Sequence, residues 1–418
     1  MEIIISQMNS RNMKKSLLSL VLLVSAMMCA LGTSAAEAYA CYTSSNTTLT
    51  FYYDNERASR TGTTYNLNTG DNRPGWVDDG TNSSVTRVVF NFLFAAARPT
   101  STHSWFENME NLTSIVGMKY LNTEKVTNMS LMFYWCNALT SLDLSSFNTS
   151  QVTDMNSMFY HCYSLNSLNV SSFNIANVIN MSNMFGGCIA LSNIDVSNFN
   201  TENVHYMAVM FQDCRAMTSI DVSSSNTQKV EYMTGMFSGC TGLTTLDLSR
   251  FNTRSAISLE GMFSGCTGLT SLDLSSFSTT NVNNTYAMFY NCTGLTTIYV
   301  SSGWSSAGIT QSSYMFNDCT SLVGGQGTTF DANHIDAEYA RIDGGASNPG
   351  YFTAKSQRGD VNDDGVVNIA DVTSLIDYLL SGNTTGVNID AADCSIDGNV
   401  NIADVTALID YLLSGTWN

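Results

Sequence analysis

Apolar residues return along this chain at a fixed interval. Met-Phe pairs stand at Met132-Phe133, Met158-Phe159, Met184-Phe185, Met210-Phe211, Met236-Phe237, Met262-Phe263 and Met288-Phe289, each 26 residues after the last, and an eighth, Met315-Phe316, follows after 27. A cysteine comes four residues after every one of these methionines: Cys136, Cys162, Cys188, Cys214, Cys240, Cys266, Cys292 and Cys319. Self-similarity at a period between about 20 and 50 residues marks a solenoid, whose units bury their apolar faces only against one another.

Within one unit the period changes. Val152, Met155, Met158, Phe159, Cys162 and Leu165 are three or four apart, a spacing that predicts a short helix with one buried side. Leu168 and Val170 then alternate with polar residues, which predicts a half-buried strand. The expected fold is therefore an α/β repeat solenoid of leucine-rich type, one short strand and one short helix per 26-residue coil, over residues 103–323. Trp105-Phe106 begins a degenerate first coil. Residues 41–102 lack the repeat but carry strand-like runs at Thr48–Tyr53, Thr63–Leu67 and Val85–Phe94, and read as a β-rich N-terminal cap. Residues 324–353 read as a C-terminal cap closed by strands at Tyr339–Asp343 and Tyr351–Thr353, and 354–358 as a linker.

Phrases such as Leu139–Val152 (LTSLDLSSFNTSQV) followed by Met155–Cys162 (MNSMFYHC) resemble the repeats of BspA-type bacterial surface proteins. The resemblance covers roughly Cys41 to Thr353, and Asn55–Pro74 is similar to the N-terminal region of that family. It implies a surface or secreted location.

Charge and cysteine refine this picture. Charged residues make up only 12% of the chain and the formal charge is −18, which argues against nucleic acid or an anionic membrane as partner. Eight of the 11 cysteines fall in one column among Met, Phe and Leu and read as small core residues with free thiols. Disulfides between adjacent coils, or a zinc site drawn from several coils, are the alternatives. Met13-Lys14-Lys15 and the apolar run Leu17–Leu31 have the form of a signal peptide too short to span a bilayer stably. Residues 1–40 are assigned to it, with processing near Ala38–Ala40 and no membrane span afterwards; Cys29 is the alternative, a lipid-attachment site.

The strand's outward positions form columns, one of them holding Asp143, Asp195, Asp221, Asp247 and Asp273. Strands stacked about 4.8 Å apart would align these carboxylates on one face, where they either meet a basic partner or cap local backbone. Catalysis finds little support. The four histidines are scattered, His161 shares its column with Trp135, Gly187, Asp213, Gly239 and Gly265, and an exposed Asp row lacks the cleft a glycosidase pair requires.

Residues 359–418 hold ten Asp and no Glu, Lys or Arg. Asp360, Asn362, Asp364, Gly365 and, after five residues, Asp371 match an EF-hand loop with Asp at position twelve, and Asp393, Ser395, Asp397, Gly398 and Asp404 repeat it 33 residues on. Oxygens at positions one, three and five surround a cation; the carbonyls of Val366 and Asn399 point inward at seven, Asn368 and Asn401 contribute at nine, and twelve closes the shell. Two Ca²⁺ ions are expected. Behind each loop the sequence NIADVT-x-LIDYLLSG recurs, with Val372, Leu375, Ile376 and Leu379 on one apolar face. This tandem loop–helix pair resembles a type I dockerin, a small all-α calcium-binding domain. The resemblance implies a cohesin-type partner, met partly through positions ten and eleven. These are Ile369-Ala370 and Ile402-Ala403 here, where many cellulosomal dockerins carry Ser-Thr.

Together these readings describe a secreted or cell-surface recognition protein. Its solenoid meets a protein or glycan of a host or neighbouring cell, and its tail docks to a cohesin. The alternative is a structural spacer that binds only through the tail.

Overall fold

The structure, a computed structural model, describes residues 35–301, 303–355, 357–362 and 366–417. The signal-like segment, Cys29 and Asp364 lie outside the described residues. The N-terminal cap is a five-stranded sheet of β1 (Glu37–Thr43), β2 (Thr48–Asp54), β3 (Thr63–Asn66), β4 (Arg87–Phe90) and β5 (Ser114–Val116), in the order β3-β1-β2-β4-β5. A one-turn helix, α1 (Gly75–Asp78), buries Trp76 beneath it. The cap starts earlier than Cys41. Ala40 is buried and pairs with Phe51 on one side and Tyr65 on the other, so the expected processing region at Ala38–Ala40 falls inside β1. The strand expected to reach Phe94 ends at Phe90, where a 3₁₀ turn over Phe92–Ala96 takes over, capped by the Asn91 side chain accepting the Leu93 N–H.

Aromatic packing carries the cap into the solenoid. Phe51 stacks on Phe90 at 4.6 Å and on Trp105 at 4.9 Å, and the Trp76 indole N–H donates to the Trp105 carbonyl at 2.7 Å. Phe106 then meets Phe133 at 5.2 Å, and the repeat phenylalanines continue as a column to Phe316, adjacent rings 5.4–6.0 Å apart. Tyr351 and Phe352 close the far end. Each buried ring adds about 1.5–3 kcal/mol.

The expected helix in each coil is absent. Among the described residues no α-helix falls between Asp78 and Ile369. Instead, alternate N–H groups leave the coil. Met129, Leu131, Phe133 and Trp135 donate to Asp154, Asn156, Met158 and Tyr160 of the next coil at 2.8–2.9 Å, while Met132, Tyr134 and Cys136 donate three residues back at 3.1–3.3 Å. This chain of tight turns needs left-handed residues, and it has two per coil. Leu131 and Trp135 lie at φ 58° and 59°, and the same columns remain positive through Tyr314 and Asp318. Turns closed at i−3 point Met, Phe and Cys inward at the spacing a helix would, so periodicity alone cannot separate the two.

On the opposite side the alternating segment behaves as expected, Leu168 and Val170 being buried and Asn169 exposed. Strand pairing is confined to parts of the stack. β6 (Ser141–Leu142) pairs in parallel with β7 (Ser167–Leu168), and β8 (Ser271–Asp273) with β9 (Thr297–Val300). The C-terminal cap adds β10 (Phe352–Ala354) to β9, while Ile342 contributes one bridge to Phe352 rather than a full strand. A buried threonine also ties coils together. Thr149 Oγ1 donates to the Asn174 carbonyl at 2.9 Å and accepts its N–H at 2.7 Å.

The cysteine column is a ladder of free, buried thiols, which excludes disulfides between coils. Cys162 Sγ donates to the Phe133 carbonyl at 3.1 Å, and the other seven repeat this at 2.9–3.3 Å. Burial pushes the thiols of Cys188, Cys240 and Cys292 up to about 12, so they stay protonated and unreactive.

The tail has its own small core of Val361, Val372, Leu375, Ala392, Cys394, Val405 and Leu408. It is built on α2 (Ile369–Ser381), the short α3 (Ile389–Ala392) and α4 (Ile402–Ser414).

Candidate functional site: the paired loops and helices of the tail

Each loop of the tail is closed by its position-twelve carboxylate. Asp371 is fully buried; its Oδ1 accepts the Asn362 N–H at 3.1 Å and its Oδ2 the Asn368 N–H at 2.8 Å. Asp404 repeats this with Ser395 and Asn401, both at 2.7 Å. The same carboxylates complete capping boxes with Asn368 and Asn401, whose side chains accept the N–H groups of Ala370 and Ala403. Gly382 and Gly415 end the two helices in left-handed conformation. Sequence identity thus becomes geometric identity.

The remaining ligand positions take up supporting roles. Asp360 is buried. Asp393 accepts the N–H groups of Asp397 and Gly398, and Asp397 accepts that of Asn399. The carbonyls of Val366 and Asn399 accept from the side chains of Asn368 and Asn401 at 3.0 and 3.3 Å. Ser395 Oγ is buried without any hydrogen-bond partner. An orphaned hydroxyl at position three, with a buried carboxylate closing the same loop, fits a hard cation held by oxygens. Bound Ca²⁺ would offset the crowded carboxylates and supply folding free energy that this small core lacks.

The helices leave a second feature. Val372 and Leu375 face the core, but Ile376 does not share their face: it is 38% exposed and aligns with Ile369 at 70% and Leu380 at 82%. On α4 the equivalents Ile402, Ile409 and Leu413 are 71, 38 and 82% exposed. Ala370 and Ala403 are exposed beside them. The outward stripe thus runs the length of each helix, beyond the dipeptides that sequence reasoning singled out. A clasp joins the ends of the domain, with Trp417 stacked on Tyr411 at 4.2 Å and the Arg358 guanidinium 4.1 Å over its ring.

On the solenoid, the acidic column is engaged locally. Asp143, Asp195, Asp221, Asp247 and Asp273 each use Oδ1 to accept the N–H of the serine two residues on, at 2.9–3.1 Å. Hydrogen bonds from Ser145, Ser197 and Ser223 hold the carboxyls of Asp143, Asp195 and Asp221 below the usual range. Asp273 also pairs with Lys355 at 3.3 Å. A shallow groove of about 610 Å³ crosses Asp221, Asp247 and Asp273.

Sequence reasoning set His161 aside, yet it sits in a cluster with Tyr134, Trp135, Tyr160 and Tyr163. The available signal was two bulky rings in a column otherwise filled by Gly, Asp and Asn.

Three chains of known structure are similar. One is a leucine rich cell surface protein from Faecalibacterium prausnitzii A2-165, 15% identical over 69% of this chain and 92% of that one, TM-score 0.29. The others are leucine-rich repeat proteins from Bacteroides ovatus ATCC 8483 (15%, covering 70% and 94%, TM-score 0.24) and Eubacterium ventriosum ATCC 27560 (16%, 68% and 93%, 0.27). No curated protein matches the chain. Among the described residues no helix is long and apolar enough to cross a membrane. Residues 358–413 match the dockerin type I domain, and residues 100–223 and 206–326 match the model described as Mycoplasma protein of unknown function, DUF285. The chain belongs to this DUF285 family, whose repeats form its solenoid, and it carries a type I dockerin domain at its C-terminal end.

Proposed function

We propose that this is a secreted or cell-surface recognition protein: its calcium-loaded tail docks to a cohesin-type module, and its solenoid presents an outward surface to a macromolecular partner. The observation that carries the docking half is the duplicated apolar stripe. Ile369, Ile376 and Leu380 on one helix, and Ile402, Ile409 and Leu413 on the other, stay exposed to matching degrees in a domain that has few apolar residues to spare. Covering one stripe would contribute on the order of 1.5–3 kcal/mol per side chain, and the near-identity of the helices offers either stripe to one partner. Two Ca²⁺ ions, held by Asp360, Asn362, Asp364, Val366, Asn368 and Asp371 and by Asp393, Ser395, Asp397, Asn399, Asn401 and Asp404, would set the helices for docking.

A second reading, the solenoid as a passive spacer, is favoured by one observation: each Asp of the strand face already closes its own turn. Capture from secretome and cell-surface extracts with residues 35–355 and 356–418 as separate baits, with and without calcium, separates the readings. Calcium-dependent capture by the tail and calcium-independent capture by the solenoid support the first. A silent solenoid with an active tail supports the spacer.

A further inference from the structure

The five-ring cluster on the first full coils has features that its fold does not require. Trp135 and His161 occupy the left-handed column at φ 59° each, where the following coils place Gly187, Asp213, Gly239, Gly265, Asn291 and Asp318. Bulky residues there are strained, and such strain gathers at functional sites. The third coil is cut to fit them. A Cβ on Gly187 would lie 2.6 Å from His161 Nδ1, and one on Gly186 would lie 2.9 Å from the Tyr160 ring.

The rings are in mutual contact. Tyr134 and Tyr160 stack at 5.5 Å, Trp135 lies 4.9 Å from His161 and 5.9 Å from Tyr163, and His161 lies 4.9 Å from Tyr163. All five are half-buried, held yet reachable. Trp135 Nε1, His161 Nδ1 and Asn137 Oδ1 are buried without hydrogen-bond partners. Of the few such atoms on the described part of the molecule, three thus fall within this one cluster. Nearby charge is self-compensated, because Arg215 pairs with Asp213 at 2.9 Å.

We infer that this cluster is a binding site for a neutral, polyhydroxylated ring compound: a saccharide unit of a glycan. Sugar hydroxyls both donate and accept, so one such ligand can meet an indole N–H and a carboxamide oxygen together. The C–H faces of a pyranose pack against electron-rich rings. Burial holds the His161 imidazole below its usual range, keeping the site uncharged at neutral pH. A peptide presents fixed donors and acceptors and matches this mixture less well. The inference rests on reading the solenoid as a recognising element, and names its ligand class.

The test is titration of the full chain, loaded with calcium, with neutral gluco-, manno-, xylo-, galacto- and N-acetylglucosamine oligosaccharides, followed by intrinsic tryptophan fluorescence and calorimetry. One saccharide class should shift the emission, and the shift should vanish in Trp135→Phe. Affinity should fall about tenfold or more in Trp135→Ala and in Asn137→Ala, and stay unchanged in Tyr206→Ala, which alters a separate stacked tyrosine pair. Thermal melts identify a variant that has merely lost its fold, and Asn137→Ala then decides. No saccharide binding, or binding indifferent to both variants, overturns the site. A protein ligand lost in the same variants, with saccharides inert, overturns the ligand class. Cohesin docking is read through the tail, so it survives or fails independently.

Discussion

Replacing Asp404 by Ala should do more than remove a calcium ligand. The side chain is fully buried, and its two oxygens accept the Ser395 and Asn401 N–H groups at 2.7 Å each. Hydrogen bonds to a charged acceptor contribute about 1.5–3 kcal/mol each, so two orphaned donors cost about 3–5 kcal/mol before any metal is counted. That matches the whole stability expected from a core of this size. Asp404→Ala should therefore leave the second loop–helix unit unfolded without calcium, and calorimetry on the variant should find one Ca²⁺ where the parent takes two. Asp404→Asn keeps one acceptor oxygen; it should fold when loaded but bind calcium more weakly. Asp410→Ala removes an exposed helical carboxylate outside both loops and should be neutral or slightly stabilising. An Asp404→Ala protein with two Ca²⁺ and an unchanged far-UV melt would refute the reasoning.

Other expectations follow from the packing. Cys214→Ser should cost only about 1 kcal/mol in denaturant melts, because the hydroxyl inherits the Phe185 carbonyl that Sγ reaches at 3.3 Å; a loss above about 3 kcal/mol would contradict the ladder. Asp343, in the C-terminal cap, accepts the N–H groups of Gln326, Thr328 and Gly345, and these bonds hold its carboxyl at about 2. Its folded value lies below the unfolded one, so its contribution, about 2 kcal/mol, is complete above about pH 4 and lost as pH falls through 2. Acid melts of the parent and Asp343→Asn should converge over that window. Trp417→Ala removes the ring between Arg358 and Tyr411 and should lower tail stability by about 2 kcal/mol, while calorimetry still finds two Ca²⁺.

The leucine-strand side of each coil and both calcium loops could be read in the sequence because their rules are local. Leu168 and Val170 alternate, and the loop oxygens sit at fixed offsets from a glycine. The Met-Phe side misled for a physical reason. Inward spacing of three and four is shared by a helix and by turns closed at i−3, and the hydrogen bonds that separate them run between coils 26 residues apart. Gly235, Gly239, Gly261 and Gly265, four apart in two coils, were the visible sign, since a helix has no use for left-handed residues at that spacing. Ile376 was placed with the core because it neighbours Leu375, but α2 has only α4 and the loops to pack against, leaving that flank open. The Arg358–Trp417 clasp joins residues from opposite ends of the domain, and no local pattern announces it.

The central claim is that calcium makes the tail a docking module. Its most direct test is surface capture of the full chain by immobilised cohesin modules of several sequence classes, in calcium and in EDTA, beside a variant with Ile369, Leu380, Ile402 and Leu413 all changed to Asp. The account expects at least one cohesin to capture the chain in calcium, release it in EDTA, and ignore the variant while the variant still binds two Ca²⁺. Capture that persists in EDTA, or that the four substitutions leave intact, would contradict it.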